Sequence, residues 1–277
     1  MLRLIFSNAH ACLPNLRAIT SGTLLALAQS MRSALLCWCA VALSCSPYVH
    51  SPPGRTFPLE APKALYPRET AVQIEGGGGV GDDVSLAGVT VRVRHGIVKQ
   101  LDGSLEGSFL RFSPDEDFSV DNPNIFQARL GIKYAIIDHV AITAGLAGGG
   151  WTGGGFMSPD ASMIFGYENP YCVPFFDLGG YVSIPVRESS VVLRSNNSGD
   201  FVATPAQTWG WQAGTGLRIP LSHEKGAFTK GALLMGVRFR GAYFDNEPVN
   251  RRDSRVYILG SGAIELVFGP GRKHQGI

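Results

Sequence analysis

After residue 70 the chain alternates apolar and polar positions with period two over most of its length. From Phe126 to Ile136, Phe126, Ala128, Leu130, Ile132, Tyr134 and Ile136 alternate with Gln127, Arg129, Gly131, Lys133 and Ala135. A strand sends these two sets to opposite faces, whereas a helix would mix them. Trp209 to Leu221 repeats the pattern: Trp209, Trp211, Ala213, Leu217, Ile219 and Leu221 share one face, and Gln212, Gly214, Gly216 and Arg218 the other. Between 231 and 244, Leu233, Met235, Val237, Phe239 and Tyr243 oppose Arg238 and Arg240. The last segment sets Val256, Ile258, Ile264, Leu266 and Phe268 against Ser261 and Glu265. No stretch has the length and period that predict a helix.

Ten such segments are predicted, near 71–80, 84–97, 101–111, 125–137, 140–149, 160–168, 172–186, 207–221, 230–244 and 254–268. Most exceed the 5–6 residues usual for soluble strands and match the roughly 9–11 that a tilted strand needs to cross a bilayer. Short connections (Lys99-Gln100, Asp138-His139, the turn at Asn169-Pro170-Tyr171) alternate with longer ones at 112–124, 150–159, 187–206 and 245–253. Residues 222–229 form a connection of moderate length on the short side, and Gly81-Asp82-Asp83 a brief one on the long side. Residues 94–101 and 133–140 form a weak internal repeat, each a hairpin on a two-residue turn.

With the N-terminus on the periplasmic side, outward aromatics fall at two levels. Phe109, Phe126, Trp209, Trp211 and Tyr243 sit toward the long-connection edge, and Tyr134, Tyr167 and Phe268 toward the other. Aromatic girdles belong at the two membrane–water interfaces. The opposite face carries Glu75, Arg92, Arg94, Glu106, Arg129, Lys133, Glu168, Asp177, Arg218, Arg238, Arg240 and Glu265. These seven basic and five acidic side chains are expected to pair within a lumen.

In these features residues 71–268 resemble the small outer-membrane β-barrels of Gram-negative bacteria. The resemblance implies an all-β fold: a closed, antiparallel, up-and-down transmembrane barrel of about ten strands, with eight as the smaller alternative. It also implies contact with membrane lipid and with the outer-membrane assembly machinery. Many such proteins end on an aromatic residue, but here Phe268 is followed by a tail, 269–277.

Composition sharpens this picture. Glycine is abundant, at 35 residues, while charged residues make up only 17%; a lipid-facing surface explains the scarcity of charge. Residues 1–59 hold no Asp or Glu. Arg32 precedes the short apolar run Ser33 to Ser44, a layout of export signals and too short to span a bilayer. Residues 1–44 are therefore read as an extension plus signal peptide, with Met31 as the expected start. Ala42-Leu43-Ser44-Cys45 resembles the lipobox of bacterial lipoproteins, which makes Cys45 the candidate lipidation site. Residues 45–70, with six prolines and no periodicity, read as an extended tether.

Catalytic chemistry finds little support. His10 lies in the leader, His50 in the tether, His139 and His223 in turns and His274 in the tail, and His95 faces outward. The Asp82-Asp83 pair reads as a solvated turn. The glycine runs 76–79 and 148–155 lack the helix and Lys-Ser/Thr of a phosphate loop; Gly148 to Gly155 reads as a flexible loop around Trp151. No cofactor, metal or nucleic-acid partner is expected, and the external loops carry no recognisable ligand motif. The expected function is a non-enzymatic outer-membrane barrel with a structural or surface-binding role and a plugged lumen. A narrow channel, an outer-membrane enzyme and a soluble periplasmic barrel for lipophilic ligands are the alternatives.

Overall fold

The computed structural model describes residues 49–81, 84–114, 118–120, 123–188, 191–195, 201–221, 230–246 and 251–269. The expected leader, Cys45, Asp82-Asp83, His223 and most of the tail lie outside the described residues. In chain order the strands are β1 (Val49–His50), β2 (Thr70–Gly81), β3 (Val84–Val98), β4 (Leu101–Pro114), β5 (Phe118–Val120), β6 (Asn124–Ile137), β7 (Val140–Trp151) and β8 (Gly154–Gly166). There follow β9 (Val173–Glu188), β10 (Val191–Ser195), β11 (Phe201–Ala203), β12 (Pro205–Ala206), β13 (Thr208–Leu221), β14 (Lys230–Asn246) and β15 (Arg251–Phe268).

Ten of these strands, β2–β4, β6–β9 and β13–β15, close into one barrel. Each pairs antiparallel with its neighbour in sequence, and β15 returns to pair with β2, so no sheet edge remains. Along β6, Ile125, Gln127, Arg129, Lys133 and Ala135 are buried. Phe126, Ala128, Leu130, Ile132, Tyr134 and Ile136 on the same strand are exposed. Leu130 is 67% exposed while Arg129 beside it is 3% exposed. Water would drive the reverse arrangement, burying leucine and exposing arginine. A closed sheet with this polarity is the arrangement that hydrocarbon surroundings require. The expected girdles fall in place: Phe109 and Phe126 lie 4.9 Å apart between ring centres, and Trp211 donates a 3.3 Å hydrogen bond to Tyr243.

The internal repeat extends to backbone detail. The β3–β4 register shifts between Gly96 and Val98, and the β6–β7 register shifts at the matching positions, Ala135 and Ile137. Both irregularities sit beside a two-residue turn, where a bulge lets the strands twist into the hairpin. Gln100, in the first turn, takes the left-handed backbone at φ 79°.

Four of the connections differ from expectation. Residues 150–159 are not a loop: β7 and β8 continue through them and leave only Thr152-Gly153 as the turn. Glycine runs normally read as loop, but Gly148, Gly149 and Gly150 pair in register with Met157, Phe156 and Gly155. Likewise β14 and β15, at 17 and 18 residues, reduce the 245–253 connection to 247–250. The 112–124 and 187–206 connections contain strands of their own, β5 in one and β10, β11 and β12 in the other. Strand β10 pairs with both β5 and β11. The two connections leave the barrel with four strands between them on one side and six on the other, so this small sheet crosses the mouth.

Candidate functional site: the lumen and the segment that fills it

The proline-rich stretch expected as a tether runs inside the barrel. It begins at the long-connection end, where Val49 and His50 pair in parallel with Pro205 and Ala206. It ends at the short-turn end, where Thr70 starts β2. In between, Ser51, Pro52 and Gly54 through Glu60 are all buried. Prolines keep the segment extended and remove amide donors that a lumen wall would have to satisfy. The donors and acceptors that remain are met by wall side chains. Ser51 N donates to Thr208 Oγ1 at 2.9 Å and Gly54 N to Ser158 Oγ at 3.0 Å, while Ser183 Oγ donates to the Pro52 carbonyl at 2.7 Å. Ser158 reaches Gly54 because it shares the inward face of β8 with Phe156, Asp160 and Ser162. Gly54 is needed for close approach: a Cβ there would lie 2.4 Å from the Ala147 Cβ.

Lower down, wall cations take the segment's carbonyl oxygens. Arg238 Nη2 donates to Pro58 O at 2.7 Å and Arg92 Nη1 to Leu59 O at 3.2 Å. Lys133 donates to the Lys63 and Ala61 carbonyls at 2.9 and 3.3 Å. Phe57 joins Leu110, Ile125, Phe156, Tyr257 and Leu259 in an apolar tier, and Leu59 packs with Phe175 and Leu234. Burying each of these two apolar side chains contributes about 1.5–3 kcal/mol.

Between the apolar contacts lies an ionic belt centred on the segment's own Glu60. Its carboxylate lies 2.8 Å from Arg55, 3.1 Å from Lys133, 3.3 Å from Arg94 and 3.9 Å from Arg92. Arg55 also reaches Glu106 at 3.3 Å. Arg92 lies 3.1 Å from Glu106 and 3.6 Å from Glu75. Arg129 grips Asp160 with two 2.7 Å hydrogen bonds and Glu106 with a third at 2.8 Å. Arg94 and Arg218 share Glu265, and Arg238 pairs with Asp177. Arg240 pairs with no carboxylate among the described residues; it donates to the Arg55 and Thr56 carbonyls and to Gln212, and stacks on Tyr181. Just above it, Pro52, Thr56, Trp151, Tyr181 and Tyr257 line a cavity of about 80 Å³.

Ten of the twelve side chains assigned to the lumen from sequence are buried: Glu75, Arg92, Arg94, Glu106, Arg129, Lys133, Asp177, Arg238, Arg240 and Glu265. Arg218 is partly exposed beside Glu265, and Glu168 lies at the short-turn rim, 3.9 Å from a half-exposed Lys63. Five buried charges were absent from that set: Arg55, Glu60, Glu69, Asp102 and Asp160. Asp102 and Asp160 share strand parity with Glu106 and Ser162, a signal present in the alternation. Arg55 and Glu60 gave none, because the proline segment has no period. With them and Glu69, the described residues bury seven cations and eight carboxylates, close to balance.

Each carboxylate of the belt lies against an arginine or lysine. His95 is exposed and bonded to Thr70 Oγ1, and His139 stacks on Tyr167. Among the described residues no three His, Cys, Asp or Glu side chains cluster so as to hold a metal ion.

No protein-family model matches the chain, and no curated protein matches it. Among solved structures it is similar to the translocator domain of the autotransporter NalP from Neisseria meningitidis, at 12% identity and a TM-score of 0.44, over 74% of this chain and 90% of that one. It is also similar to the outer membrane protease OmpT from Escherichia coli, at 8% identity and a TM-score of 0.37, over 78% and 100%. Neisserial surface protein A matches at 13% identity and a TM-score of 0.31, over 71% and 96%. These likenesses concern the barrel.

Proposed function

We propose that the protein is a closed, non-conducting barrel of the Gram-negative outer membrane, serving as a membrane-embedded scaffold for the surface at its long-connection end. The observation that carries this reading is the filled lumen: residues 51–65 run through it from end to end, and Arg55, Glu60 and the carbonyls of Pro58, Leu59, Ala61 and Lys63 are partnered by wall side chains. A ten-stranded barrel is only slightly wider than the eight-stranded kind that side chains alone fill. An added strand of chain takes up the space through which ions would pass, which supports a closed lumen. The same filling speaks against a carrier of lipophilic ligands, because the interior is charged and the apolar surface lies outside. The paired acids speak against an enzyme of acid–base type. The apolar outer band and two aromatic girdles support residence in a membrane built for β-barrels.

Planar-bilayer recording tests the reading. The purified full chain is expected to insert without conductance steps, and a variant lacking residues 52–64 is expected to conduct. Steady ion conductance by the unaltered protein would overturn it.

A further inference from the structure

The route of residues 49–70 fixes more than a plug. Strand β2 starts at Thr70 at the short-turn end, yet Val49 is paired to Pro205 at the opposite end. The chain therefore traverses the whole lumen before the first barrel strand begins. From this we infer that the barrel carries its own N-terminal segment through the membrane and displays it on the long-connection face. The inference rests on the membrane-barrel reading above.

Contacts at successive heights hold the course. Val49 and Ser51 are fixed at the mouth by Pro205 and Thr208, Gly54 by Ser158 at the next level, Glu60 by Arg94 and Lys133 in the belt, and Leu65 by Asp102 near the short-turn end. A side chain every few residues thus marks one direction of travel, and no reversal fits between them.

The reach of the chain makes this consequential for Cys45. Four chain steps lead from it to Val49, and an extended chain spans at most about 3.6 Å per step. That is roughly 14 Å, about half of a hydrocarbon core near 30 Å thick. A lipid carried on Cys45 would enter the leaflet on the long-connection side, and could not reach back to the leaflet at the short-turn end. In the usual arrangement of bacterial barrels, with short turns in the periplasm, that side is the cell surface. The chemical partner implied for such a lipid is the outer leaflet.

Three epitope insertions in the full chain test the inference in intact cells: between Pro47 and Tyr48, between Asn196 and Asn197 in the long connection, and between Asp138 and His139 in a short turn. The expected result is that the first two share one accessibility to antibody and the third has the opposite one until the cells are permeabilised. The first tag sharing the accessibility of the third, in protein recovered with the membrane, would overturn the threading while leaving the barrel reading intact. Recovery of all three in the soluble fraction without detergent would overturn both. The comparison between tags does not depend on which end faces outward.

Discussion

Replacing Glu60 with glutamine is expected to lower the heat-modification midpoint of the detergent-solubilised barrel by on the order of 10 °C. The substitution keeps the shape of the side chain and removes its charge. Arg55, Lys133, Arg94 and Arg92 all lie within 4 Å of that carboxylate, with side chains no more than 7% exposed. Removing one partner of a buried ion pair costs about 3–5 kcal/mol, because the remaining charge is left uncompensated. For a domain of this size each kcal/mol moves the midpoint by roughly 2–4 °C. Glu106 and Asp102 still face the stranded cations, which keeps the loss near the lower bound. Glu168→Gln is the control: its 3.9 Å contact with a half-exposed Lys63 is of the kind worth about 0–1 kcal/mol. Equal midpoints for the two variants would show that the belt does not hold the segment. The two charges also differ in what they release, since Glu60 variants alone should raise the susceptibility of residues 51–69 to protease.

Gly145→Ala is expected to destabilise the barrel only while Arg129 is present. A Cβ at Gly145 would lie 2.3 Å from the Arg129 Cζ, and one at Gly131 2.4 Å from its Nη1. The guanidinium lies flat across these two glycines of β6 and β7. A flexible arginine could swing aside at little cost, but this one is pinned by both oxygens of Asp160 and by Glu106. Moving it breaks three charge-assisted hydrogen bonds, each stronger than a neutral one. A double-mutant cycle of Gly145→Ala with Arg129→Ala should give a coupling of about 1–3 kcal/mol. Gly107→Ala, with no atom within 4 Å of its Cβ position, should fall within about 0.5 kcal/mol of the parent. Additive effects at Gly145 and Arg129 would remove the steric account of these glycines.

This bears on what could be read in advance. The wall was legible because period-two alternation survives glycine and proline substitution at single positions. Arg129, Lys133, Arg238 and Glu265 all declare their face by parity with their neighbours. Glycine misled where it was dense. Gly148–Gly150 lack side chains to show an alternation, so the sequence places the end of β7 at 149 and the start of β8 only at 160. Asp160 lay beside that false boundary and was lost with it, although its parity matches Ser162 and Ile164. The segment 51–69 failed for a deeper reason. An extended, proline-rich chain has the same signature whether water or a lumen surrounds it, because its contacts run through carbonyl oxygens that every residue has. What distinguishes this one is the need of the wall: Arg92, Arg94, Lys133 and Arg238 all require acceptors, which Glu60 and the carbonyls of Pro58, Leu59 and Lys63 supply.

The closing seam gives the threaded segment a role in construction. The ladder that joins the two ends of the barrel sequence pairs β15 with β2, and β2 is the direct continuation of residues 51–69. Filling the finished cylinder afterwards would mean drawing the leading stretch, with Arg55 and Glu60, end-first through a ring of wall arginines and carboxylates already paired with one another. Wrapping the sheet around chain already in position avoids that state. Sealing and charge neutralisation then become a single event, in which the segment acts as the mandrel on which the wall is wound.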